Sequence, residues 1–299
     1  MAVELGAMSL ALRHVVGGYR EYVAPPLLAS VSDVVWIHRT PAEVPLKGAE
    51  MHRVLPDPAF GLTFCCYREP GGRPVAPRLL LLGPVVAPQF FAVRPGYEVA
   101  AVMVKREWVG PLFGLEPDAH DDFGDDLSLV LPRLAESMFG PLTETRAAPE
   151  ALALMIAAVA RRAQRQPVHR PETATRALDL IRRTRGLLSL DDVAGRTGYS
   201  IRHLRRVVRR DAGVSLKAFA RAVRLVQALT AADRTPRGQR PCWTRLAVEA
   251  GYCDQAHLAR DLQDMCGITP TQAYRERRAQ ATPAMASDLT LDGRNLQDF

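Results

Sequence analysis

The chain has 299 residues, 47% of them hydrophobic and 24% charged, with five cysteines and a net charge of +7. That balance excludes a mostly disordered chain, a collagen-like repeat and a disulfide-stapled mini-protein, and it supplies apolar mass for about two domains. No apolar run reaches the ~18–20 residues of a membrane span. Glu4 precedes any basic residue, so the sequence predicts no signal peptide and a reducing cytoplasm with free thiols.

The charge is unevenly divided. Residues 1–160 hold 13 Lys and Arg against 18 Asp and Glu, a net −5; residues 161–280 hold 25 against 11, a net +14; the last nineteen carry −2. An acidic front half tethered to a strongly basic back half is the asymmetry expected of a polyanion-binding domain joined to something else.

In chain order, the front half alternates strand-like runs with Pro and Gly punctuation. Val34-Val35-Trp36-Ile37, Leu62-Thr63-Phe64-Cys65-Cys66-Tyr67, Leu79-Leu80-Leu81-Leu82 and Val99-Ala100-Ala101-Val102-Met103-Val104 predict strands of a small sheet or barrel. Helices are predicted over about 127–139 and 149–164. A proline-bearing polar linker follows at 164–171, and beyond it strand signals vanish. The expected class is α+β: a front domain, 1–165, for sensing and dimerisation, and an all-α domain, 172–280, with a disordered tail over 281–299.

The basic half contains an internal repeat. Val193-Ala194, Gly198-Tyr199 and Gly213 in one copy answer Leu246-Ala247, Gly251-Tyr252 and Gly267 in the other, which is one residue longer between its glycines. Each copy (about 190–213 and 243–267) spells a short helix, a glycine-bearing turn and a second helix capped by Ser200 or Asp254. After Ser200, Leu204, Val207 and Val208 fall on one face and Arg202, Arg205, Arg206 and Arg209 on the opposite one. Four like charges in one stripe are unfavourable unless a polyanion meets them. In the second copy Leu258, Leu262 and Met265 form the apolar stripe; Ala256, Arg260 and Gln263 lie opposite, flanked by Gln255 and His257. Arg pairs with guanine, Gln with adenine, and Ala leaves room for a thymine methyl. The first helix is thus expected to supply affinity and the second discrimination.

The stretch Ala247-Val248-Glu249-Ala250-Gly251-Tyr252-Cys253-Asp254-Gln255-Ala256-His257-Leu258-Ala259-Arg260, closed by Gly267-Ile268-Thr269-Pro270, resembles the DNA-binding domain of AraC/XylS-family bacterial transcription regulators. The resemblance spans roughly 172–278. It implies two helix-turn-helix units joined by a long helix over about 215–232, entering successive major-groove segments on one face of the duplex. It further implies base contacts from Arg202, Arg205 and Arg206, and from Gln255, Ala256, His257 and Arg260. Where the family has Phe, Val208 and Leu262 stand here, implying a less tightly filled core. The insert 235–241 implies a loosely oriented second unit, and Asp261 implies weakened local phosphate contacts. In the front half, His52-Arg53-Val54-Leu55-Pro56-Asp57, Leu62-Thr63-Phe64 and Arg94-Pro95-Gly96 resemble an uncharacterised domain often paired with such units, with Pro58 where that domain has Gly.

The implied partners are double-stranded DNA, a small-molecule effector, RNA polymerase and a second copy of the chain as a homodimer, with no membrane and a nucleoid-associated location. No metal site or cofactor is expected: His14, His38, His52 and His120 are scattered without ligand spacing. No catalytic residues are assigned. Cys65 and Cys66, neighbours in a strand, should point to opposite faces, one thiol buried and one at the surface. The alternative is a DNA-targeted enzyme of the alkyl-transfer repair type, which requires one of those two cysteines to be reactive.

Overall fold

The computed structural model describes residues 2–5, 8–16, 18–40, 50–54, 59–83, 89–117, 124–165, 171–236 and 238–279. The centre of the expected linker and the expected disordered tail lie outside the described residues. The strands are β1 Ala2–Leu5, β2 Met8–Val16, β3 Tyr19–Val23, β4 Val34–Arg39, β5 Glu50–Val54, β6 Phe60–Tyr67, β7 Val75–Leu82, β8 Gln89–Val93, β9 Tyr97–Val104 and the short β10 Asp125–Asp126. The helices are α1 Val109–Phe113, α2 Leu127–Val130, α3 Pro132–Thr143, α4 Ala148–Arg165, α5 Glu172–Arg183, α6 Leu190–Thr197, α7 Ile201–Ala212, α8 Leu216–Asp233, α9 Trp243–Glu249, α10 Gln255–Cys266 and α11 Pro270–Ala279. The class is α+β.

Eight strands form one antiparallel sheet in the order β1-β2-β3-β4-β9-β6-β7-β10, and β5 pairs with β8. All four strands predicted from apolar runs are present. β9 lies near the middle, with Ala101 opposite Trp36 on one side and Thr63 on the other. Its small, buried Ala100 lies in one core with α4, which packs against β9 and contributes Ala151, Leu152, Met155, Ile156 and Val159, all buried. Each large side chain so buried contributes roughly 1.5–3 kcal/mol.

Two expectations for the front half need correction. The single helix over 127–139 is two, because Leu131 precedes Pro132 and is driven to φ −137° and ψ 65°, outside the helical region. Cys65 and Cys66 are both buried, since β6 is an interior strand covered on both faces. Burial raises the Cys65 thiol and pushes that of Cys66 up to about 11. Burial therefore holds both thiols on the protonated side rather than poising either as a thiolate.

The back half builds two further cores among the described residues, and α8 belongs to both. Leu216, Phe219, Ala220 and Val223 pack with α5, α6 and α7; Leu225, Ala228, Leu229 and Ala232 pack with α9, α10 and α11. Ser215 caps this helix, its Oγ accepting the Ala218 N–H at 3.1 Å. The expected joining helix thus lies one residue from its predicted bounds.

The front half meets both helical units. After β9, the turn 105–108 docks on α5 and α7. Fully buried Glu107 accepts two bonds from Arg182 of α5, at 2.7 and 2.8 Å, and Lys105 reaches Asp33 at 3.2 Å and Asp179 at 3.3 Å. Arg106 donates to the carbonyl of Ala212, the last residue of α7, at 2.5 Å. At the other end, His14 of β2 lies 3.1 Å from Asp233 of α8, which also pairs with Arg277 of α11 at 2.9 Å. Burial alone would raise the Asp233 carboxyl, but its bonds to Arg277 and His14 outweigh burial and hold it below the ordinary carboxylate range.

Candidate nucleic-acid interface

Both reader helices are delimited by local chemistry. Ser200 caps α7, its Oγ accepting the His203 N–H at 3.2 Å, and Gly213 closes the helix at φ +63°. Asp254 caps α10, its Oδ1 accepting the His257 N–H at 2.7 Å, and Gly267 closes it at φ +69°. The preceding turns use Gly198 and Gly251, both at φ +78°, as the left-handed turn requires.

Numbered from their caps, the two 12-residue helices correspond residue for residue. The extra residue of the second copy falls before its cap, so matching the glycines alone misaligns the readers by one. In the cap register Arg202 answers Ala256, His203 answers His257, Arg205 answers Ala259, Arg206 answers Arg260 and Arg209 answers Gln263. The buried positions also coincide: Leu204, Val207, Val208 and Ala212 in α7, Leu258, Asp261, Leu262 and Cys266 in α10. Cys266 rather than Met265, which is half-buried, completes the second buried stripe.

Asp261 therefore occupies the place of Val207 and faces inward, 6% exposed, where Arg221 of α8 binds it at 2.7 Å. Arg221 also holds Asp264 at 2.7 Å. This corrects the expectation that Asp261 opposes phosphate: its charge is compensated inside the domain.

Arg202, Arg205, Arg206, Arg209, Gln255, Ala256 and Arg260 are exposed, and His257 is half-buried. Among the described residues no ion pair engages Arg202, Arg205, Arg206 or Arg260. Arg209 donates from Nη1 to the Gly213 carbonyl at 3.0 Å, while its neighbour Arg210 is paired with Asp211. The histidine rings lie against the tyrosines of the turns, His203 stacked on Tyr199 and His257 edge-on to Tyr252.

The first turn of each reader departs from the usual helix pattern. α6 begins with Asp191 and Asp192, which suit its positive dipole end. α7 instead places Arg202 in its first turn, and neither reader has an acid there. An exposed cation at that end is unfavourable in isolation and favourable beside phosphate or a base edge, and the start of a recognition helix is where base edges are met.

Residues 193–277 match a family model described as a helix-turn-helix domain. The C-terminal region is an AraC-type helix-turn-helix domain. The chain carrying this AraC-type domain is a DNA-binding transcription regulator. No curated protein matches the chain by sequence. Solved structures similar to it include ToxT from Vibrio cholerae, 9% identical, covering 83% of this chain and 98% of that one at a TM-score of 0.42. Another is unsaturated fatty acid-bound wild-type ToxT from Vibrio cholerae, 11% identical, covering 80% and 94% at a TM-score of 0.42.

The AraC-type domain also contains a contact that sequence reasoning did not single out. Thr244 of α9 donates its hydroxyl to Gln255 Oε1 at 3.2 Å, orienting that amide at the start of α10. Only the cap register gives Gln263 the place of Arg209. In the front half, Phe64 and Trp108 are core residues, and Tyr67 and Tyr97 pair at 5.5 Å.

Proposed function

We propose that α7 and α10 are the two recognition helices, entering successive major-groove segments about one helical turn apart. The single observation that carries this is the cap register. It places exposed, unpaired Arg206 and Arg260 at one and the same position of two helices of equal length. One row, Arg202 and Arg206 in α7 and Ala256 and Arg260 in α10, is assigned to base edges. The parallel row carries Arg205 and Arg209 in α7 but Ala259 and Gln263 in α10. It is assigned to phosphate in the first unit, in place of the base contact that the family resemblance implies for Arg205, and on this assignment the first helix supplies affinity and the second, aided by Gln255 and His257, discrimination.

The same reading divides the chain into a front domain of 1–165 and a DNA-binding domain of 172–280, supported by cores that share no residue. The front domain is assigned effector sensing and homodimerisation, with RNA polymerase as a partner on DNA and the nucleoid as location. What supports an effector is a pair of polar atoms in the front core, Tyr22 Oη and Trp108 Nε1, buried without a hydrogen-bond partner among the described residues.

The test is a panel of duplexes substituted base by base. Arg206→Ala is expected to relax a guanine preference in one half-site, and Arg260→Ala in the other, each by about 1–3 kcal/mol. A uniform loss over all sequences would make these arginines phosphate contacts and remove the base-reading assignment.

A further inference from the structure

The loop between α5 and α6 in the first unit lies directly against the turn between α9 and α10 in the second. Gly186, at φ +71°, offers its carbonyl to Arg224 Nη1 of α8 at 3.1 Å. A Cβ on Gly186 would stand 2.5 Å from the Ala220 carbonyl oxygen and 2.9 Å from Arg224 Cγ, so the loop approaches α8 as closely as backbone allows. The same Arg224 guanidinium lies over the Tyr252 ring, 5.7 Å from its centroid. Next to it, Leu187 sits over Gly251: a Cβ there would meet Leu187 Cδ2 at 2.5 Å. Leu187 is half exposed, so its contact with Gly251 lies at the edge of the junction rather than in either core. One arginine and one leucine thus bridge the two units, independently of α8's own two cores, and the second unit is fastened rather than loosely hung.

We propose that Arg224 and Leu187 are positioning residues that hold α7 and α10 at a fixed separation and so set the half-site spacing the chain accepts. The inference rests on the reading of α7 and α10 as the two recognition helices. Inserting one base pair between half-sites moves the second by about 3.4 Å and rotates it by about 35°. A fixed pair of helices cannot follow that step without losing contacts at one site; a pair freed at this junction follows it at the expense of selectivity.

The experiment uses the full chain and duplexes in which the two half-sites are moved one base pair closer or further apart. The wild-type protein is expected to lose about tenfold in affinity on either change. Arg224→Met and Leu187→Ala are expected to lose no more than about twofold, with base preference inside each half-site unchanged. Leu187→Ala truncates a half-exposed side chain and keeps the test open if the variant of half-buried Arg224 does not fold. Circular dichroism and thermal unfolding identify the folded variants. Wild-type spacing preference in both folded variants would overturn the proposal, as would a wild-type protein that reads both half-sites but tolerates every spacing. Absence of base preference in either half-site of the wild type would instead refute the recognition-helix reading beneath it.

Discussion

Replacing Glu107 by Ala is expected to destabilise the full chain by about 3–5 kcal/mol, because it leaves a buried cation without its principal partner. Glu107 has no exposed side-chain surface and gives both oxygens to Arg182, itself 18% exposed and lying over the Phe219 ring at 5.0 Å. Asp179 at 2.8 Å and Asp33 at 3.7 Å remain near Arg182 after the change, but the first is shared with Lys105 and the second is half exposed. Glu107→Gln, which keeps one acceptor and the shape, should lose less. Urea unfolding of the two variants and the wild type measures the difference. A change within about 0.5 kcal/mol for the alanine variant, as for an ordinary surface site, would show that the pair does not fasten the halves together. The location gives this pair its importance: the turn that holds Glu107 also carries Arg106 onto the last carbonyl of α7, so the front half is anchored on the body of the first reader while its arginine stripe faces outward.

The second large effect is electrostatic. Neutralising Arg205 and Arg209 together to Gln should make the fall of log K with log salt concentration shallower by about 1.8, at about 0.9 for each phosphate released. Between 50 and 200 mM salt the loss of affinity should then shrink by about twelvefold relative to wild type. The corresponding second-unit residues, Ala259 and Gln263, carry no charge, so Gln263→Ala should leave the slope unaltered. An unchanged slope in the double arginine variant, measured by titration at a series of salt concentrations, would contradict the assignment of this row to phosphate.

What was legible in the sequence was what local chemistry decides. Gly198, Gly251, Ser200 and Asp254 act within one turn of themselves, and each adopts the expected role. The strands of β4, β6, β7 and β9 were legible because apolar runs were set apart by Pro and Gly on at least one side. β2 and β3 were missed because their apolar residues are interrupted by Arg13, His14, Arg20 and Glu21, although Gly17-Gly18 between them is a hairpin signal. Long-range contacts left no local trace. Glu107 and Arg182 are 75 positions apart, and the ion pair that turns Asp261 inward comes from Arg221, 40 positions earlier. Cys65 and Cys66 follow the strand rule of opposite faces; what the rule omits is that an interior strand between two packed layers has no solvent face.

The most direct measurement is selection of the full chain on random duplex DNA at physiological salt. The account predicts enrichment of a bipartite motif whose two halves lie about one helical turn apart, each with a preferred guanine. Retention that follows only DNA length and salt, with no sequence enriched, would contradict it.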